Sequence, residues 1–303
     1  AQKAARVFGC PAVGDFRQLV VQTRPQVLLV AGPMYISDEF VRIAIRQGCH
    51  VIRVVPAGLD FEKAGDFVRL SRKHKVRYFV ANFRRGLGGY RRFREYLEGV
   101  KFEDFHLLQA VCNVPGEIDD IHSRWLSDPK LAGGGVLLRN CYELIDAIVG
   151  NFGVPERVYS INTNQAPDRK QRLSVTEDTA IVTMKFSDTL LGNLLASRTF
   201  GPPVEVLRAH TAENVISVKA DRFTLSDNMG NVIEDESYEI DRKKMMVETL
   251  RDFGMSLLKP SENPMKGAED MDIDNMAVIE AAYLSVRTMV PEEPGRLLEF
   301  FGR

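Results

Sequence analysis

Three short apolar runs constrain this chain most: Gln26–Ala31 (QVLLVA), His50–Val55 (HVIRVV) and Tyr78–Asn82 (YFVAN). Each is continuous rather than alternating, which is how a strand covered on both faces of a parallel sheet reads. Between them lie stretches of about Ser37 to Gln47 and 61–74, each long enough for one helix. Strand, helix and strand at this spacing predict βαβ units. The punctuation agrees. Gly32 and Pro33 make the loop after the first strand, Gly48 stops the helix that follows, and Pro56 breaks the second strand. Ahead of these, Ala1–Phe8 reads as a helix ended by Gly9, and Asp15 opens another over DFRQLVVQT.

After about residue 100 the pattern changes. Phe105–Asn113 is extended, and Gly133-Gly134-Gly135 precedes a helix running to about Val149. Runs rich in β-branched residues follow at Arg157–Asn164, Thr179–Phe186, Leu191–Thr199, Val204–Thr211, Val215–Ala220 and Arg222–Ser226. Turn residues Asp188-Thr189, Asp227 and Asn231 separate them, which predicts antiparallel sheet. Two helices, near 241–258 and 271–289, close the chain. The expected architecture is an α/β front domain over 1–103 and an α+β domain over 104–303 with a large, mostly antiparallel open sheet.

A length of 303 residues suits two cores, and a net charge of −1 gives no basic excess for nucleic acid or an anionic membrane. No apolar run nears the roughly 18 residues of a membrane span. The four cysteines, at 10, 49, 112 and 141, include no C-x-x-C pair, so no metal site is expected and a reducing, cytoplasmic setting is. The densest basic stretch holds Arg84, Arg85, Arg91, Arg92 and Arg94, either a solvated helix face or an anion or partner site.

A doubly wound sheet holds a dinucleotide pyrophosphate on a Gly-rich turn opening a helix. No G-x-G-x-x-G occurs here. Gly86, Gly88 and Gly89 come nearest and read as a loop. The expectation is that the first βαβ unit lies upstream of Ala1, or has been lost.

Six blocks in order resemble the glucose–fructose oxidoreductase and inositol dehydrogenase family, Gfo/Idh/MocA. They are Asp15–Leu19, Gln26–Pro33, His50-Val51-Ile52 with Pro56-Ala57, Lys130–Asp146 (KLAGGGVLLRNCYELID), Ser174–Ala180 (SVTEDTA) and Val278–Thr288. The resemblance implies a Rossmann-like front domain that binds NAD or NADP, with Ala31, Gly32, Pro33, Val54 and Pro56 as cofactor-contact positions. It implies hydride transfer to or from a sugar, polyol or related small molecule. It also implies a homodimer or homotetramer formed through the outer face of the rear sheet.

The chain departs from the family where protons are handled. The family's Glu-Lys pair before Pro56 is Val54-Val55; its Asp and His on the Gly-triplet helix are Arg139 and Glu143; Asp146 is retained. A further His beyond Pro33 is Ser37, and neither Lys63 nor His122 stands in for the missing groups. Glu143 is the replacement able to act as a general base, and Arg139 is suited to a carboxylate or phosphate. The same two residues also read as an i, i+4 salt bridge. Arg84, at the carboxyl end of the third strand, reads as a ligand contact or a surface ion pair, and Trp125 as a pocket wall or core residue. With Asp146 these complete the candidate substrate set. His50, His106 and His210 read as structural, and the later methionines as helix faces. Two functions follow: an oxidoreductase with a non-standard proton relay, or a non-catalytic relative that senses a ligand or binds a partner.

Overall fold

A computed structural model describes residues 2–115, 125–164, 176–199, 201–262, 265 and 267–303. His122, Ser174 and Val175 lie outside the described residues. The front part opens with α1 (Gln2–Phe8) and α2 (Phe16–Thr23), the latter capped by the Asp15 carboxylate accepting from Arg17 N and Gln18 N. Then come β1 (Val27–Val30), α3 (Met34–Arg46), β2 (His50–Val54), α4 (Phe61–His74) and β3 (Tyr78–Ala81). The three strands are parallel, in the order β1-β2-β3. The helix after β1 starts at Met34 rather than near Ser37, because Pro33 accepts from Ser37 N at 2.9 Å and so stands at its cap.

One face of this sheet carries Val51, Tyr78 and Val80 into a core shared with α3 and α4. On the other, Ile52, Phe79 and Ala81 meet Phe253. Cover on both faces therefore holds for β2 and β3. For β1, Val27 is 40% and Leu29 51% exposed. Arg53 on β2 is buried, and the Asp38 carboxylate, at 2.8 Å, accounts for it.

The rear part has an eight-stranded sheet built from β4 (Phe105–Asn113), β5 (Arg157–Thr163), β6 (Thr179–Lys185), β7 (Leu191–Ser197), β8 (Val204–Thr211), β9 (Asn214–Lys219), β10 (Arg222–Asp227) and β11 (Val232–Ser237). Its order is β11-β10-β9-β8-β4-β7-β6-β5, antiparallel except for β4 beside β7. The fold class read from the sequence is the one observed. The edge strand β11 (VIEDES) escaped that reading because its acidic residues leave no apolar alternation. It is held by Arg222 to Asp235 and Arg92 to Glu234.

One face of this sheet packs against helices. These are α5 (Gly88–Leu97), on β9 and β10; α7 (Val136–Arg139), on β6 and β7; and α10 (Ala268–Thr288), on β5, β3 and α4. The helix α8 (Tyr142–Phe152) packs against α5, α7 and α10, while α6 (Pro129–Ala132) lies against α3 and α9 (Arg242–Leu258) supplies Phe253 to the front sheet. By packing, α5 goes with the rear sheet although it precedes residue 104. A further helix, α11 (Pro294–Phe300), follows the two expected to close the chain, and Pro294 at its start is the signal for it.

Candidate functional site

The Gly triplet exists because nothing larger fits. A Cβ on Gly134 would stand 2.1 Å from the Tyr283 hydroxyl oxygen, and one on Gly135 would stand 1.8 Å from the Glu177 carbonyl oxygen. This close approach lets the buried Glu177 carboxylate accept from Gly135 N at 2.7 Å and Leu137 N at 3.0 Å, with the Tyr283 hydroxyl donating at 2.8 Å. Burial pushes the Glu177 carboxyl up, and those donors hold it back. Two helices, the one-turn α7 and then the 11-residue α8, start from this anchor and carry Arg139, Glu143 and Asp146.

Each candidate then has a definite place. Asp146 is 3% exposed and accepts from Asn82 Nδ2 and Asn275 Nδ2, each at 2.7 Å, and from Arg85 Nε at 2.9 Å. It ties the end of β3, α8 and α10 into one internal network. Arg84 places Nη2 2.6 Å from Glu205 and 3.5 Å from Glu143, while its backbone N–H donates to Glu143 Oε1 at 3.3 Å. Glu205 also accepts from the Tyr90 hydroxyl at 2.9 Å. Burial raises the Glu205 pKa against the pull of Arg84. The Arg84 Nη1 atom has no hydrogen-bond partner among the described residues.

Arg139 lies with its guanidinium carbon 5.8 Å from the Trp125 ring centre, and Trp125 meets Tyr35 at 5.9 Å. Tyr35 lies two residues beyond Pro33, in the first turn of α3, so this aromatic bridge joins the loop after β1 to α7. Ala31 and Gly32 are exposed there, Val54 and Val55 are half-buried, and Pro56 is buried after a cis Val55–Pro56 bond.

Sequence reasoning missed Glu205, Tyr90, Asn82, Asn275 and Tyr35. Glu205 alone left a trace: it occupies the inward alternation of β8 that Leu207 and Ala209 fill with buried side chains. Of the histidines, His50 Nδ1 accepts from Arg77 N at 2.9 Å, and His210 Nε2 lies 3.1 Å from Gln109 Oε1. No group of three metal-ligating side chains occurs among the described residues, and none of their helices is long and apolar enough to cross a membrane.

Two family profiles match in sequence order. Residues 1–82 match an oxidoreductase family with an NAD-binding Rossmann fold, and 90–222 match the GFO/IDH/MocA C-terminal domain. The chain belongs to the Gfo/Idh/MocA family. Among the family's relatives it is similar to the D-glucoside 3-dehydrogenase of Escherichia coli strain K12, 27% identical over 171 residues. That match takes in 54% of this chain and 46% of that protein, so the chain spans about half the length of this curated relative. An oxidoreductase of Thermotoga maritima shares the fold with a TM-score of 0.81 at 21% identity, covering 98% of this chain and 87% of that one. The WlbA dehydrogenase of Bordetella pertussis, solved with NADH and UDP-GlcNAcA, gives 0.78 at 16% identity, covering 96% and 86%.

Proposed function

We propose that this Gfo/Idh/MocA protein is an oxidoreductase that moves hydride between NAD(H) or NADP(H) and a carbinol carbon of a sugar, polyol or related small molecule. The carrying observation is Glu143. It is a carboxylate oriented by two contacts from Arg84, on a helix whose start is fixed by the Gly triplet, at the position where the family keeps its proton-handling His. The likeness to a D-glucoside 3-dehydrogenase supports a sugar-like substrate.

The donor set here fits one end of the cofactor. Ala31, Gly32, Pro33, Val54 and Pro56 are small or apolar and uncharged, which suits the flat nicotinamide ring; they offer nothing to a pyrophosphate. When bound, the cofactor supplies the hydride acceptor or donor. The chain's own residues do the rest. As hydride leaves a hydroxyl-bearing carbon, the hydroxyl proton passes to a Glu143 oxygen, and Trp125 with Arg139 walls the substrate.

The test is titration with NADH and NADPH by fluorescence, then turnover assays across sugars, polyols and sugar acids. Glu143→Gln is expected to lower kcat by roughly 10²–10⁴-fold with cofactor affinity retained. Val54-Val55, where the family has Glu-Lys, favours the second reading, a non-catalytic ligand or partner binder. Tight cofactor binding with no turnover, and no effect of Glu143→Gln, would establish that reading instead.

We also propose self-association through the open face of the rear sheet. Registered pairing lines up Ile161, Ile181, Leu195, Val111 and Val206 across five strands. Ile161 is 57%, Ile181 50% and Leu195 40% exposed, an apolar row that a second copy of the same face matches. Ile181→Glu with Leu195→Glu is expected to convert a dimer or tetramer to monomer in sedimentation; unchanged mass rejects this interface.

A further inference from the structure

Beyond Arg84, which orients Glu143, the basic run at 84–94 has a place that the proposed hydride step does not use. It borders a cavity of about 510 Å3 between the β3 end, α5, α8 and α9, which Glu143 also lines. Five guanidinium groups face this space: Arg84, Arg85, Arg91, Arg94 and, from α9, Arg251. Asp146 takes up Arg85, and Glu143 with Glu205 takes up Arg84. Arg91, Arg94 and Arg251 have no carboxylate within ion-pair distance among the described residues.

Glu248, 4.0 Å from Lys244, and Asp252 also line it from α9, so five arginines share the lining with four carboxylates. Arg94 donates to the Arg85 carbonyl oxygen at 2.7 Å, so its head group is fixed at the cavity rim rather than free in water. Burial first, and then the charges of Arg85 and Arg91, lower the Arg94 pKa against the opposing charges of Asp146 and Glu95. The partnerless Arg84 Nη1 adds a buried donor at the inner end. A planar guanidinium pairs best with a carboxylate or phosphate, through two parallel N–H···O bonds.

We infer that this cavity receives the anionic group of the substrate, so that the protein acts on a sugar carrying a phosphate or carboxylate while the reacting carbon lies at Glu143. This rests on the oxidoreductase reading for the reacting end alone. The anion site stands on its own geometry.

The experiment is calorimetric titration of the full chain with methyl glucoside, glucuronate, glucose 1-phosphate and inorganic phosphate at low and high salt. One or both anionic sugars are expected to bind at least tenfold more tightly than the neutral glycoside, and which of them does so identifies the group. The advantage shrinks with salt. Arg91→Ala with Arg94→Ala, both exposed and so compatible with folding, is expected to bring the ratio to within twofold, and Arg251→Ala on α9 to reduce it independently. Equal affinity for neutral and anionic sugars, or a ratio indifferent to all three variants, overturns the proposal. So does inorganic phosphate binding as tightly as the sugar phosphate, which marks an anion site with no sugar attached. Because the readout is binding, an arginine-dependent preference without turnover refutes the oxidoreductase reading alone. Turnover of neutral sugars without that preference refutes the anion site alone.

Discussion

Replacing Asp146 by alanine tests whether this residue holds the junction or touches substrate. Its carboxylate accepts from Asn82, Asn275 and Arg85, and Asn275 is fully buried. Removing one partner of a buried ion pair costs about 3–5 kcal/mol, and each stranded buried amide about 1–3 kcal/mol. The Arg85 side chain is 28% exposed, so water recovers part of the first cost, and the three losses share one cavity and do not add. A net loss of about 4 kcal/mol is expected. For a urea slope of about 3 kcal/mol/M, that moves the unfolding midpoint down by about 1.3 M, read by circular dichroism. Asp146→Asn keeps one acceptor but turns an NH2 group toward other donors, and about half that shift is expected. A midpoint drop below about 0.3 M in the alanine variant, with a raised KM for substrate, would refute the structural account and return Asp146 to the substrate set.

Gly135→Ala drives a Cβ to 1.8 Å from a backbone carbonyl oxygen, which no side-chain rotation relieves. A melting temperature lower by roughly 5–10 °C is expected, while Gly254→Ala, which meets nothing within 4 Å, leaves it unchanged or raised. Asp272 is buried, and that burial, opposed by Arg85 and reinforced by the Asp146 charge, pushes its pKa up to about 8. The folded state therefore keeps a proton that the unfolded chain releases near pH 4. Stability falls between about pH 4 and 8, by at most about 1.4 kcal/mol per pH unit, and levels off above. In Asp272→Asn that slope is expected to vanish in urea titrations across this range, and its persistence would show that Asp272 is not its source.

What the sequence disclosed is what local pattern can encode. The three front strands showed because β2 and β3 are covered twice over, and the Gly triplet because each glycine answers a contact that forbids a side chain. Hidden features arise from distance along the chain. Asp146 meets Asn275 across 129 positions and Arg84 meets Glu205 across 121, and neither pair leaves a periodic trace. β11 failed to read as a strand because its partners are arginines rather than core. The candidate residues of α7 and α8 came out of the resemblance; their partners came only from the fold.

On the proposed reading, with Val54-Val55 where the family has Glu-Lys, the charges around Glu143 bear on how it would take a proton. Arg84 stands between two carboxylates, so before any substrate enters this group of three carries one positive and two negative charges. Burial already disfavours charge on Glu205, and the Glu143 charge adds to that strain. Uptake of a single proton brings the trio to neutrality in a half-buried setting, where an uncompensated charge is costly. A relay that ends on lysine or histidine must carry an added positive charge after taking the hydroxyl hydrogen. A relay ending on Glu143, as proposed, would discharge a negative one.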